Sequence, residues 1–336
     1  MQLTNQKDSD HNRMVLITGV AGMLGSHLLD RLMEAGGYDV VGIDDLSYGK
    51  FENISRHLGD SRFRFYRVNV LDFETLKILG RDVDTIVHLA AVKKISESEA
   101  AMPTLSVNLK GTENVFEVAK MWGCNVVFAS TSDVYGMSAD LPYREDGDLL
   151  LGPSMIKRWS YAVSKLYCEQ LAFAYYQDCR VPMVCLRYFG GFSPRSSFKW
   201  SGGHVPIFIN AILNDEEVIV HGDGAQTRSM GFVTDLVEGT FLAMQNEKAL
   251  GEIINIGNAE EMSVLETARL IHRLANTGKE LKISFVPMQE VFGKYKDIMR
   301  RLPDLSKAKA LLGYSPRVSM AEGIRRTIAE VRRRNG

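Results

Sequence analysis

Short apolar runs alternate with amphipathic stretches along the first half of the chain. Residues 14–18 (MVLIT) are apolar and pass directly into glycine-rich sequence, which predicts a strand buried on both faces. From about 23 to 34, Leu24, Leu28, Leu29 and Leu32 recur at helical spacing, and 39–43 (DVVGI) predicts the next strand. Similar runs at 63–68, 85–89, 126–129 and 182–187 are separated by helical patterns. This alternation predicts an α/β fold, a doubly wound parallel sheet with right-handed crossovers. Beyond about residue 189 the rhythm changes. Residues 190–203 read as a long loop rich in Gly, Ser and aromatics. Short strands at 218–220, 253–256 and 282–286 then mix with helices near 233–245, 264–275 and 320–333, which predicts a smaller, mixed α/β C-terminal region.

Composition narrows the class without naming a reaction. The 336 residues are 45% hydrophobic and 24% charged, ordinary for a globular protein. Forty Lys and Arg against 41 Asp and Glu give a formal charge of −1, which argues against bulk nucleic acid or an anionic membrane as partner. The N-terminal MQLTNQKDSDHNR is polar, reads as a tail over 1–13 and has no signal-peptide core. With no long apolar stretch, a cytoplasmic enzyme is expected. Cys124, Cys168, Cys179 and Cys185 form no CxxC pair, and neither His204 nor His221 has a second ligand at metal spacing. No disulfide and no metal are predicted, and His204 and His221 read as loop or core-edge residues.

Two motifs carry chemistry. Thr18-Gly19-Val-Ala-Gly22-Met-Leu-Gly25 is a G-x-x-G-x-x-G turn between a strand and a helix. Gly19 allows the tight turn, Gly22 lets backbone approach a pyrophosphate, and Gly25 allows close helix–sheet packing. Asp44 closes the second strand, placed to accept from an adenosine 2′-hydroxyl. With no Arg or Lys directly beside it, NAD is favoured over NADP. The second motif is Tyr161-Ala-Val-Ser-Lys165, whose i, i+4 spacing puts phenol and ammonium on one helical face. A nearby cation is expected to lower the phenol pKa, with a hydroxyl from Thr131 completing a proton-handling site. His88 reads as support for a strand end, not as a catalyst.

Together the glycine turn, HLAA (88–91), STSDVYG (130–136) and YAVSK (161–165) resemble the extended short-chain dehydrogenase/reductases that modify nucleotide sugars. The resemblance runs from about residue 14 to the C-terminal helix. It implies a Rossmann domain over 14–189 and a mainly substrate-binding region over 190–336, some of whose strands and helices return to the first. It also implies a tightly held NAD that removes a hydride from sugar C4 to give a 4-keto intermediate. By resemblance Tyr161 is the base, Lys165 the nicotinamide-ribose ligand and Thr131 the substrate-orienting hydroxyl. Met23, Leu24, Asn69, Val70, Leu89, Ala90, Ala91, Lys93 and Asn108 fall at cofactor positions, with Lys93 also beside substrate. Asn69 stands where relatives often have an adenine-binding Asp. A homodimer through helices near 104–121 and 160–176 is likewise implied.

The residues after Thr131 bear on the fate of the ketone. A 4,6-dehydratase resembles Thr-Asp-Glu here, so Ser132 disfavours loss of water. A 4-epimerase typically has small neutral residues, whereas nucleotide-glucuronate decarboxylases resemble Thr-Ser-Glu, one methylene from Thr131-Ser132-Asp133. Arg158 in KRWSY and Arg301 in RRLPD resemble decarboxylase segments, the latter near the sugar carboxylate; Arg300 and Arg301 also read as candidates for surface ion pairs. Arg228 in GAQTRS is the expected diphosphate clamp. UDP-glucuronate decarboxylation is therefore the leading expectation, followed by a 4-epimerase, a 4,6-dehydratase and a non-catalytic NAD-binding scaffold. One departure stands out. Relatives often read Arg-x-Phe-Asn where this chain has Arg187-Tyr188-Phe189-Gly190, so either another group, such as the loop through Trp200 and His204, replaces that amide or the substrate is held differently.

Overall fold

A computed structural model describes residues 12–93, 100–198, 203–292 and 298–335. Most of the polar tail (1–11) and Trp200 lie outside these. The first half builds β1 (Arg13–Thr18), α1 (Met23–Ala35), β2 (Tyr38–Ile43), β3 (Phe63–Tyr66), α2 (Phe73–Leu79), β4 (Thr85–His88), α3 (Met102–Trp122), β5 (Asn125–Thr131), α4 (Ser160–Cys179) and β6 (Met183–Tyr188). The second half adds β7 (Gly191–Phe192), α5 (His204–Leu213), β8 (Val218–His221), β9 (Thr227–Ser229), β10 (Gly231–Phe232), α6 (Val233–Gln245) and β11 (Ile253–Ile256). It continues through β12 (Glu261–Ser263), α7 (Val264–Ala275), β13 (Ile283–Val286), α8 (Met288–Phe292), α9 (Ser306–Leu312) and α10 (Met320–Asn335).

Seven strands form one parallel sheet in the order β11-β6-β5-β4-β1-β2-β3. Helices on both faces explain why β1 and β6 are nearly continuous apolar runs: every residue of β6 is buried. The chain reverses direction across the sheet between β1 and β4, and there the strand ends open a crevice. Thr18 pairs with His88, and Thr131 pairs with Tyr188, so these carboxyl-terminal ends share one rim. β11, from the later half, extends the same sheet beside β6.

Small differences from the hydropathy reading have physical causes. β1 begins at Arg13 because its N–H bonds to the Gly37 carbonyl (3.0 Å), which extends the ladder into the polar tail. α5 (HVPIFINAIL) is absent from the expected helices. It is apolar almost all round and buried over most of its length, so it shows no amphipathic period.

A buried ion pair fixes α4 against the sheet. Glu169 on α4 accepts from Arg187 Nε (3.0 Å) and Nη2 (2.8 Å) on β6, and from Ser130 Oγ (2.5 Å) on β5. Both charged side chains are almost fully enclosed. Removing one partner strands the other charge, so Glu169→Leu is expected to cost about 3–5 kcal/mol. Urea unfolding checks this, and the Glu169→Leu/Arg187→Met pair should recover a large part of the loss.

Candidate active site

The rim encloses a cavity of about 490 Å³ that extends from the glycine turn to Tyr161 and on to Arg228. At one end the turn is packed as its glycines require. Gly19 has φ +74°, and a Cβ there would meet Ala90 N at 2.9 Å. A Cβ on Gly25 would sit 2.3 Å from the Gly19 carbonyl and 2.7 Å from Val20 Cα. α1 starts at Gly22 with no capping side chain, so its first-turn N–H groups are left for the cavity, where an anion is favoured. Ala21–Leu24, Leu89, Ala91 and Lys93 line this surface.

Asp44 lies beneath the turn. Its oxygens accept from Ala21 N (3.0 Å) and Leu46 N (2.8 Å), while burial raises its pKa against the pull of those bonds. It thus holds the turn in place. Tyr48, Gly49, Lys50 and Asn53, missed in the sequence, also line the cavity. Asn53 Nδ2 and Lys50 N both donate to the Ala21 carbonyl (2.9 and 3.1 Å), which folds this loop onto the turn. A Cβ on Gly49 would meet Asp44 Oδ2 at 2.8 Å, so a glycine five residues after the acid was the available signal.

Three expected cofactor contacts sit elsewhere. Asn69 uses its amide on Asp45 Oδ2 (2.7 Å) and Leu71 N (2.9 Å), a local turn. Val70 is a core residue against Gly111. Asn108 brackets Val92, accepting from its N–H (2.8 Å) and donating to its carbonyl (3.0 Å), and reaches Ser164 Oγ (3.0 Å). It therefore positions the strand end that carries Lys93 and ties it to α4. Ala90 acts through its backbone, donating to Thr18 Oγ1 (3.1 Å). His88 is neutral, its pKa lowered to about 3 by burial, with both nitrogens within reach of hydroxyls on Thr18 (2.8 Å) and Thr112 (3.1 Å).

Midway along the cavity stand the proton-handling residues. Thr131 closes β5, and its hydroxyl lies near enough to the Tyr161 phenol to pull the phenol pKa down. Lys165, one helical turn on, donates to the Ala129 carbonyl (2.6 Å) above the Phe128 ring. Burial and the Asp133 charge push the phenol pKa up; the Thr131 hydroxyl and Arg158 only partly offset them. The direction is opposite to the one expected from the Tyr–Lys spacing, because a phenolate removed from water loses more than these neighbours return. A further positive charge beside the ring is required to make Tyr161 a base near neutrality.

At the next position charge is concentrated. A single 3-10 turn, Ser132–Tyr135, buries Asp133 at 2% exposure. Arg158 Nη2 (2.8 Å) and Arg301 Nη2 (2.7 Å) both meet its Oδ1, and Lys93 Nζ lies 4.0 Å from Oδ2. Burial alone would raise the Asp133 pKa, but Arg301, Arg158 and Lys93 outweigh it and hold the carboxyl well below the usual range. Asp133 is thus ionised at neutral pH and places negative charge among these cations. Three cations around one anion leave positive charge facing the cavity, and Arg301 Nε is buried without a hydrogen-bond partner among the described residues. The two candidate arginines separate here: Arg300 is exposed and pairs with Glu261 (2.9 and 2.8 Å), while Arg301 turns inward. Tyr143 sets that turn by bonding the Leu302 carbonyl (2.8 Å) and the Asp304 N–H (2.9 Å). Ser132 and, farther along, Arg228 complete the expected lining.

A model of the GDP-mannose 4,6 dehydratase family matches residues 16–327. The chain is 36% identical to a UDP-N-acetyl-alpha-D-glucosaminuronate decarboxylase of Bacillus cytotoxicus, over 93% of this chain and 96% of that protein. It is 34% identical to UDP-glucuronic acid decarboxylase 1 of Xenopus tropicalis, over 98% of this chain and 73% of that one. Among solved structures, UDP-glucuronic acid 4-epimerase from Bacillus cereus, in complex with UDP-glucuronic acid and NAD, superposes with a TM-score of 0.86 at 31% identity. That match covers 95% of this chain and 99% of the other.

The packing at Gly25 leaves no room for a methyl group. Gly25→Ala is expected to lower NAD affinity at least tenfold in calorimetric titration, because either α1 or the turn must move away from the phosphate position.

Proposed function

Because the chain belongs to the GDP-mannose 4,6-dehydratase family of NAD-dependent extended short-chain dehydrogenase/reductases, we propose that it decarboxylates a UDP-linked uronic acid, UDP-glucuronate, through a 4-keto intermediate. The observation that carries this reading is the convergence of Arg158, Arg301 and Lys93 on Asp133. Among the described residues these two arginines and the part-exposed Lys93 face one carboxylate, which leaves room for a second, and the sugar's C5 carboxylate supplies it.

The glycine turn, Asp44, Leu89–Ala91 and Lys165 would hold NAD, which when bound would supply a hydride acceptor for C4 and the further positive charge that Tyr161 needs. Tyr161 takes the proton of the 4-hydroxyl, and Thr131 orients that hydroxyl. With a ketone at C4, the C5 carboxylate belongs to a β-keto acid. Its C–C bond breaks as CO₂ leaves, the electron pair passing into the C4 carbonyl as an enolate that then takes up a proton at C5, provided that bond is held across the plane of the carbonyl. Arg158, Arg301 and Ser132 set that orientation. Asp133 tempers their charge: an uncompensated cationic site would stabilise the carboxylate more than the departing CO₂ and slow the step. A permanently ionised Asp133 also fits decarboxylation better than loss of water, which calls for an acid.

A second reading, C4 epimerisation of the same uronate, draws on the structural likeness to the Bacillus cereus enzyme. Products separate the two. With UDP-glucuronate labelled with ¹³C at C6, release of labelled CO₂ and a pentose product are expected; an isobaric product would establish epimerisation instead. Arg301→Ala should lower kcat/KM at least about tenfold, as loss of a charged hydrogen bond does, whereas Arg300→Ala should change it less than twofold.

We also propose a homodimer through α3 and α4, which pack together and leave Met102, Val163 and Tyr167 exposed. Light scattering should give twice the monomer mass, and Tyr167→Glu should halve it.

A further inference from the structure

Gly190 stands where relatives often carry an amide, and Met230 fills the vacated volume. A Cβ on Gly190 would fall 2.5 Å from Met230 Sδ, and a Cβ on Gly203 would lie 4.0 Å from Met230 Cε. Met230 therefore bridges Gly190 to the start of α5, where His204 follows Gly203. Gly190, Gly203, His204, Gln226, Arg228 and Met230 all line the cavity.

His204 is 9% exposed, and its Nε2 is buried with no hydrogen-bond partner among the described residues. Its ring packs edge-on against Phe208 with centroids 5.6 Å apart. Burial, reinforced by the Arg228 charge, lowers its pKa to about 3, so the imidazole is neutral. His88 provides an internal contrast. It is equally neutral and more deeply buried, yet both its nitrogens meet hydroxyls. His88 thus satisfies both ring atoms, whereas His204 leaves its buried Nε2 open among residues that line the cavity with Arg228.

Resting on the nucleotide-sugar reading above, we infer that His204 is a substrate ligand. Its Nε2–H donates to the diphosphate alongside Arg228, taking over the hydrogen bond lost with the amide at Gly190. The imidazole acts as a neutral donor, and no proton is transferred. Substrate binding satisfies a nitrogen that the folded protein alone leaves unmatched.

The nucleoside diphosphate and its parent nucleoside differ in the diphosphate, the group His204 is inferred to contact. Calorimetric titration with UDP and with uridine therefore isolates it in the wild-type, His204→Ala and His204→Gln proteins. His204→Ala should weaken UDP about tenfold or more and uridine less than twofold. His204→Gln should recover most of the UDP affinity, because its side-chain amide also donates. In turnover the alanine variant should raise KM far more than it lowers kcat. Equal UDP affinity in His204→Ala and wild type, or parallel loss of UDP and uridine, would overturn the inference while leaving the proposed function intact. A wild-type protein that binds no UDP would remove both.

Discussion

A carboxylate taken out of water must be matched by cations, and at Asp133 this requirement organises the reacting end of the protein. The arginines that answer it come from distant parts of the chain, one just before α4 and the other between α8 and α9, with Lys93 in the segment that follows β4. Each arrives on a different support. Arg158 is three residues ahead of Tyr161, so the charge site and the proton-handling site share one helix start. Arg301 arrives on a segment held by backbone bonds to Tyr143. The same anion raises the phenol pKa of Tyr161, so charge placement for the carboxylate and proton affinity of the base are physically linked.

The rest of the scaffold keeps these supports in register. Glu169, Arg187 and Ser130 lock α4 to β5 and β6, which fixes the height of Tyr161 and Lys165 above the sheet. Asn255, on β11, joins the remaining pieces. It accepts from Tyr135 OH (2.7 Å) and donates to the carbonyls of Tyr143 (2.9 Å) and Asp304 (3.2 Å). One buried amide therefore connects the turn that carries Asp133, the loop that carries Tyr143 and the segment that carries Arg301. Such a network needs every member satisfied, and here the amide is bonded through both its oxygen and its nitrogen.

Much of this was legible in the sequence, for reasons that differ by residue. Strands buried on both faces leave unbroken apolar runs, so the sheet was readable, and Gly19, Gly22 and Gly25 announced a turn that needs glycine at its first and last positions. α5 was not readable, because a helix that is apolar almost all round shows little period. Asn69 and Val70 sit at suggestive positions in the chain, but the Asn69 amide bonds Asp45 and Leu71 N, and Val70 packs in the core against Gly111. Asn108 acts one step removed, through the backbone of Val92. The Tyr–Lys spacing gave the geometry correctly and the direction of the pKa shift incorrectly, since spacing carries no information about burial. Arg300 and Arg301 were indistinguishable in sequence; the turn set by Tyr143 separates them.

The place of β11 in the sheet has a consequence for the order of synthesis. On the ribosome, β6 emerges with its outer edge lacking a partner until residues 253–256 follow it, more than sixty residues later. During that interval the nascent sheet exposes an apolar, unpaired strand edge, the kind of surface that recruits other chains. The Asn255 network cannot close before then either. The reacting end is thus assembled later still, once Arg301 and Asp304 have followed the last sheet strand out.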